Sequence, residues 1–321
     1  MARTRYAPDR GLTVRMTLTV FLLGLVFVLF VAALIGILSA LRFSGAAIIF
    51  IAVIFGVGSA WVSLFYSDKI ALRTAGAREV TPQEAPQLHG VVDRLCALAD
   101  MDKPRVAIAP TDMPNAFATG RNSKHSVLCV TEGLLRRLEP EELEGVLAHE
   151  LSHVAHRDVQ VMTVASVLAI VAGLLVRFAF YGELFGGGGG RRGGNNNQSA
   201  LPILLAIMVV SAVIYAISFL LIRVLSRYRE LAADRSGALL TGQPSALKSA
   251  LVKVSGSMAR IPTQDLRSAE PLNAFYFTPA LNPRSAQASL AKLFSTHPSL
   301  ERRIEELDKI QRQLGQIAPK N

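Results

Sequence analysis

Two histidines four residues apart, with a glutamate beside the first, occur in the run His149-Glu150-Leu151-Ser152-His153. On a helix, positions i and i+4 share a face, so both imidazoles can reach one metal ion. Catalytic zinc needs about three protein ligands and one position left to water. Glu150, next to the first histidine, is placed to take a proton from that water. This reading requires a helix. Glu139-Pro140-Glu141-Glu142 supplies its start, with proline in the first turn and acids at the positive end of the dipole. Leu143, Val146, Leu147 and Leu151 then form an apolar stripe, so a helix is predicted over residues 140–156.

A motif this short also arises by chance, so the third ligand must be found on independent grounds. The 321-residue chain is 51% hydrophobic and 18% charged, and its apolar residues gather in long runs, as membrane spans do. Runs 16–41 and 43–67 carry no charge, with Arg42 and Ser44-Gly45 forming a turn between them. Run 159–180 is interrupted only by Arg177, and run 199–222 is uncharged. Each is long enough for the ~20 residues that cross the hydrocarbon core, so four spans are predicted. With the amino terminus in the cytoplasm, Arg3, Arg5, Arg10, Arg15, Lys69, Arg73, Arg78, Arg157, Arg223, Arg227 and Arg229 share that side. Arg42, Arg177, Arg191 and Arg192 fall on or near the other. Positive charge therefore places both long polar stretches in the cytoplasm.

His153 lies six residues before the third run, roughly 9 Å of helix. Spans three and four form a hairpin that returns the chain to the same surface, and Glu230 follows eight residues after the fourth run. Glu230 is thus the preferred third ligand. Asp234, one turn further on the same face, suits the role of accepting the N–H of a ligating imidazole. Asp158 is a further candidate for ligand or imidazole partner, but it falls off the ligand face of a continuing helix.

Other classes fit less well. The net charge of +10 comes without a basic stripe of interleaved aromatics, so no nucleic-acid partner is expected. Cys96 and Cys129 are far apart, which implies neither a disulfide framework nor a cysteine metal site. The Gly/Asn-rich stretch 185–198 lacks a Gly-Lys-Ser/Thr ending and reads as a flexible loop. Apart from Arg177 the spans lack the buried charges of a transporter. Glu139, Glu141, Glu142 and Glu144 keep the motif out of an apolar span, against an intramembrane-cleaving site. A scaffold with a structural zinc would need a fourth protein ligand, and no cysteine or histidine stands at a suitable spacing.

The segment His149-Glu-Leu-Ser-His-Val-Ala-His-Arg-Asp158, then a hydrophobic hairpin, then Ser226-Arg-Tyr-Arg-Glu-Leu-Ala-Ala-Asp234, resembles the HtpX family of bacterial membrane proteases. These are relatives of the CaaX prenyl endoproteases. Pro114-Asn115-Ala116-Phe117-Ala118 and Thr296-His297-Pro298-Ser299-Leu300 agree, and the resemblance covers nearly the whole chain. It implies one Zn2+ per chain on His149, His153 and Glu230, with Glu150 catalytic. It also implies breakdown of misfolded or damaged membrane proteins under stress, at the bacterial inner membrane. Leu231 stands where the family pattern has tyrosine, and the Gly/Asn-rich loop is long for the family. Four spans favour this branch over a prenyl-protease-like peptidase, whose relatives have more.

Two further candidates lie outside the metal cluster. Residues 105–109 read as a strand, and 116–119 with 126–130 as a hairpin whose free edge can hold an extended peptide. Asn115 is a candidate for orienting that substrate, or else starts a turn. His297 precedes an amphipathic helix predicted from Leu300 to about Leu314. It is a candidate for contact with the oxyanion or substrate, or else simply begins that helix. His89 reads as structural, His125 as a solvated hairpin tip and His156 as an exposed helix end.

The expected fold class is a mainly α membrane protein. Four transmembrane helices would carry a cytoplasmic α+β zincin-type (gluzincin-like) metallopeptidase domain. The expected layout is a basic tail 1–15, a hairpin 16–67, a first peptidase part 68–158, a second hairpin 159–222 and a second peptidase part 223–321. Expected partners are the lipid bilayer and protein or peptide substrates, membrane proteins above all.

Overall fold

The computed structural model describes residues 10–40, 46–186, 200–258 and 297–317. The tail 1–9, the turn at Arg42 and Ser44-Gly45, most of the Gly/Asn-rich stretch and Thr296 lie outside them. The described chain divides into two compact units. One gathers the described residues before Arg15 with Leu64–Val161 and the chain from Ser226 onward; the other gathers Arg15–Ser63 and Met162–Leu225.

The second unit is built from the apolar runs. Helices α1 (Arg10–Ala40), α2 (Ala46–Thr74), α6 (Asp158–Gly186) and α7 (Ala200–Thr241) all cross it. Among the described residues three stretches are long and apolar enough to cross a membrane: Thr13–Gly36, Asp158–Arg177 and Leu205–Thr241. Phe21, Val28, Phe55 and Val164 turn apolar side chains outward, as lipid-facing residues do. Small residues bring helices close, as where Gly56 lies against the Val171 side chain. Helix α7 does not stop where the fourth apolar run stops. Its 42 residues carry Glu230 and Asp234 on the same rod.

The first unit holds the polar chemistry. In chain order it contains β1 (Arg78–Glu79), α3 (Pro86–Ala99), β2 (Arg105–Ala109), β3 (Ala116–Gly120) and β4 (Ser126–Thr131). Then follow α4 (Glu132–Arg137), α5 (Pro140–Ala155), α8 (Pro244–Met258) and α9 (Leu300–Ile317). The sheet order is β1-β2-β4-β3, with β2 parallel to β4 and the other pairs antiparallel. Among the described strands β3 is therefore an edge. Alternation and burial place Leu128 and Val130 of β4 in one core with Leu95, Leu147, Leu151, Leu247 and Leu251. That core clamps α5 between the sheet and α8.

Candidate metal centre

The register of α5 is set at its start. Glu139 caps the helix, and Glu142 accepts the Glu139 N–H at 2.9 Å in a capping box. Glu142 is in turn held by the Ser249 hydroxyl at 2.6 Å and by Lys253 at 2.8 Å, both from α8. Two turns on, His149 is 1% exposed and Glu150 5%. The Nε2 atoms of His149 and His153 stand 3.2 Å apart.

Helix α7 brings the carboxylate. Glu230 Oε2 lies 3.8 Å from His149 Nε2, and Oε1 lies 3.5 Å from His153 Nε2. Donor atoms of the three residues fall within 4.8 Å of one another, so one ion can contact all three. Gly237, nearly two turns beyond Glu230, lets α7 lie against the α5 backbone at His149.

Each imidazole is fixed from behind. His149 Nδ1 stands 2.9 Å from Asp234 Oδ1, and His153 Nδ1 stands 2.5 Å from Asp158 Oδ2. These carboxylates assign the Nδ1–H tautomer to both rings and aim the Nε2 lone pairs inward. Each carboxylate has its own guanidinium. Arg303 forks onto Asp234, and Arg229 pairs with Asp158 while also donating to its backbone carbonyl at 2.5 Å. Asp158 reaches His153 although a continuing helix would carry it off that face. The reason is local: α5 ends at Ala155, and Arg157 takes a left-handed φ of 55°, which turns the chain back.

The charges fit a divalent cation. Glu150, Asp158, Glu230 and Asp234 are all buried, against two buried guanidinium groups on Arg229 and Arg303. Without Glu150, the carboxylates of Asp158, Glu230 and Asp234 already exceed the two cations by one charge, and ionised Glu150 makes it two, so a cation is favoured in a place where unpaired charge is costly. Burial pushes both His149 and His153 down to about 4, so at neutral pH they are in the uncharged form that binds metal. Glu150 accepts the Ala118 N–H of β3 at 3.2 Å. Burial, then the charge of Glu230, raises its carboxyl well above the usual range.

The remaining candidates lie as follows. His297, just before α9, places Nδ1 3.0 Å from Glu230 Oε2. Asn115 precedes β3, and its backbone is locked to Thr131: its N–H donates to Oγ1 at 2.9 Å, and its carbonyl accepts the Thr131 N–H at 3.0 Å. His89 is buried with Nε2 3.0 Å from the Val80 carbonyl, and His156 is exposed. Arg303 and the pairing of Arg229 were not foreseen. Arg303 sits in a charged amphipathic helix, where sequence reads it as solvated, and Arg229 reads as one more basic flank of a span.

A helix with two histidines, backed by a sheet and closed by a glutamate from a second helix, defines a metallopeptidase of the zincin type. Peptidase family M48 matches residues 82–311. The chain is 57% identical over 314 residues to "Protease HtpX homolog 1" of Streptomyces coelicolor, covering 98% of this chain and 97% of that protein. It is 50% identical over 313 residues to "Protease HtpX homolog" of Moorella thermoacetica, covering 97% and 98%. The crystal structure of S. mikatae Ste24p shares the fold, with a TM-score of 0.53 at 18% identity over 94% of this chain and 67% of that one. The chain belongs to peptidase family M48, in its HtpX branch, and is a membrane metalloprotease that acts on peptide bonds.

Proposed function

We propose that the chain is a zinc-dependent endopeptidase that clears misfolded or damaged membrane proteins. It would span the bacterial inner membrane four times, with peptidase parts 68–158 and 223–321 in the cytoplasm. The asymmetry of basic residues supports that orientation, and the helical run of α2 supports the fourth span. The observation that carries the reading is the convergence of His149, His153 and Glu230 beside the buried Glu150. Two imidazoles and one carboxylate suit zinc, and a set of three among the described residues is consistent with the open position of a catalytic site.

In this mechanism His149, His153 and Glu230 hold the ion, and Asp234 and Asp158 orient the two imidazoles. The ion, when bound, lowers the pKa of a water and polarises the scissile carbonyl. Glu150 takes the proton of the attacking water and later delivers it to the leaving amine. The raised pKa of its carboxyl favours the first step, the uptake of the proton. The edge of β3, whose Ala118 N–H points to Glu150, offers main-chain groups to an extended peptide, a sequence-tolerant way to bind. Asn115 and His297 are proposed to contact that peptide.

Replacement of Glu150 by Gln tests this. Casein cleavage by the detergent-solubilised protein should fall by about 10²–10⁴-fold while zinc content stays at one per chain. Full activity in Glu150→Gln would sink the mechanism.

A further inference from the structure

Among the described residues Arg303 is one of the largest fully buried side chains, at 1% exposure. A guanidinium is costly to bury, and apolar residues hold helices together more cheaply. Helix α9 already has such anchors. Leu307 and Ile310 are buried in the core, and Asp308 pairs with Lys248 of α8 at 2.8 Å. Docking of the helix therefore does not explain the arginine.

What it touches does. Arg303 Nε donates to Asp234 Oδ2 at 2.7 Å, and its Nη2 donates to Oδ1 at 2.6 Å. Its Nη1 lies 3.8 Å from Glu230 Oε2. Asp234 Oδ1 is also the atom that faces His149 Nδ1 at 2.9 Å. One carboxylate oxygen thus joins the arginine to the histidine. A bidentate fork fixes a carboxylate in plane and in rotation, which a lone ammonium does not.

We infer that Arg303 is a positioning residue for the metal centre, and that α9 is a latch whose docking is thermodynamically linked to metal binding. With α9 docked, the Asp234 carboxylate is pinned and His149 presents Nε2 to the ion. With α9 released, Asp234 loses both charge-assisted bonds and the His149 ring loses its fixed orientation. Linkage is reciprocal, so bound metal must protect α9 by the same factor that docked α9 strengthens metal binding. The inference rests on His149, His153 and Glu230 being the metal ligands.

The test uses the full chain in detergent, stripped with chelator. Zn2+ affinity is read by competition with a chromogenic chelator, and hydrogen exchange of residues 300–317 is followed with and without Zn2+. Arg303→Lys keeps the charge and loses the fork, and it should bind Zn2+ about 10- to 100-fold more weakly. Leu307→Ala, which loosens α9 from the core without touching a charged group of the site, should weaken binding in the same direction. In the wild type, removal of Zn2+ should speed exchange along α9, a readout that needs no variant. The inference is overturned if both variants bind Zn2+ within about twofold of wild type. It is equally overturned if α9 exchanges alike with and without the ion. A wild type that binds no Zn2+ would overturn the metal reading itself, and the latch with it.

Discussion

Gly237 of α7 lies directly against His149 of α5. A Cβ at position 237 would come within 2.9 Å of the His149 backbone nitrogen and 3.1 Å of its Cα. Glu230, Asp234 and Gly237 share one helical face, so this contact sets how near the carboxylates come to the histidines.

Replacing Gly237 by Ala therefore pits two effects against each other. Alanine is the better helix former by about 1 kcal/mol. The clash, however, is with backbone that cannot swing away, and overpacking of this kind costs about 1–3 kcal/mol. The expected outcome is a lower melting temperature in detergent together with weaker Zn2+ binding, as α7 is pushed off α5. A variant with unchanged Zn2+ affinity would show that the close approach does not govern the site.

The metal-stripped chain should lose stability as pH falls. His149 and His153 have folded pKa values of about 4 against an ordinary 6.5, so the unfolded chain takes up their protons first. Their contribution is intact above about pH 6.5 and is lost toward pH 4, by up to about 1.4 kcal/mol per pH unit for each histidine. Melting curves at pH 7.5, 6 and 5 read this directly. Glu150, whose carboxyl is raised in the folded chain, acts with the opposite sign over the same range, so the curves are read in Glu150→Gln. A flat melting temperature there would contradict the buried, neutral state of both rings.

The four-span topology is open to labelling. Cys96 and Cys129 are buried, and burial raises their thiols to about 11 and 12, so the native background is low. A single cysteine at Gly188→Cys should react with a membrane-impermeant maleimide only from the face opposite a cysteine at the exposed Lys124→Cys. Labelling of both from the same face would remove the second hairpin as a pair of full spans.

Much of the architecture was legible because it rests on local periodicity. Proline and acids at 139–142 marked the start of α5, and uninterrupted apolar runs marked the long helices. Glu230 was expected near the histidines because a hairpin would return the chain to the surface it left, and α7 does carry it to within 3.8 Å of His149 and 3.5 Å of His153. Asp158 was legible as a candidate but not its reach, which depends on the left-handed turn at Arg157. Arg303 was hidden altogether. It lies 69 positions from Asp234, and no local pattern separates it from the solvated arginine beside it. Gly237 reads in sequence as a weak point in a helix, and only the neighbouring backbone shows why alanine would not serve.

Anomalous X-ray scattering at the zinc edge, from crystals of the full chain, tests the central claim most directly. The expected result is one peak per chain about 2.0–2.2 Å from Nε2 of His149, Nε2 of His153 and a Glu230 oxygen, with no fourth protein ligand. A peak elsewhere, or a fourth side chain closing the coordination, would contradict a catalytic metal centre at this site.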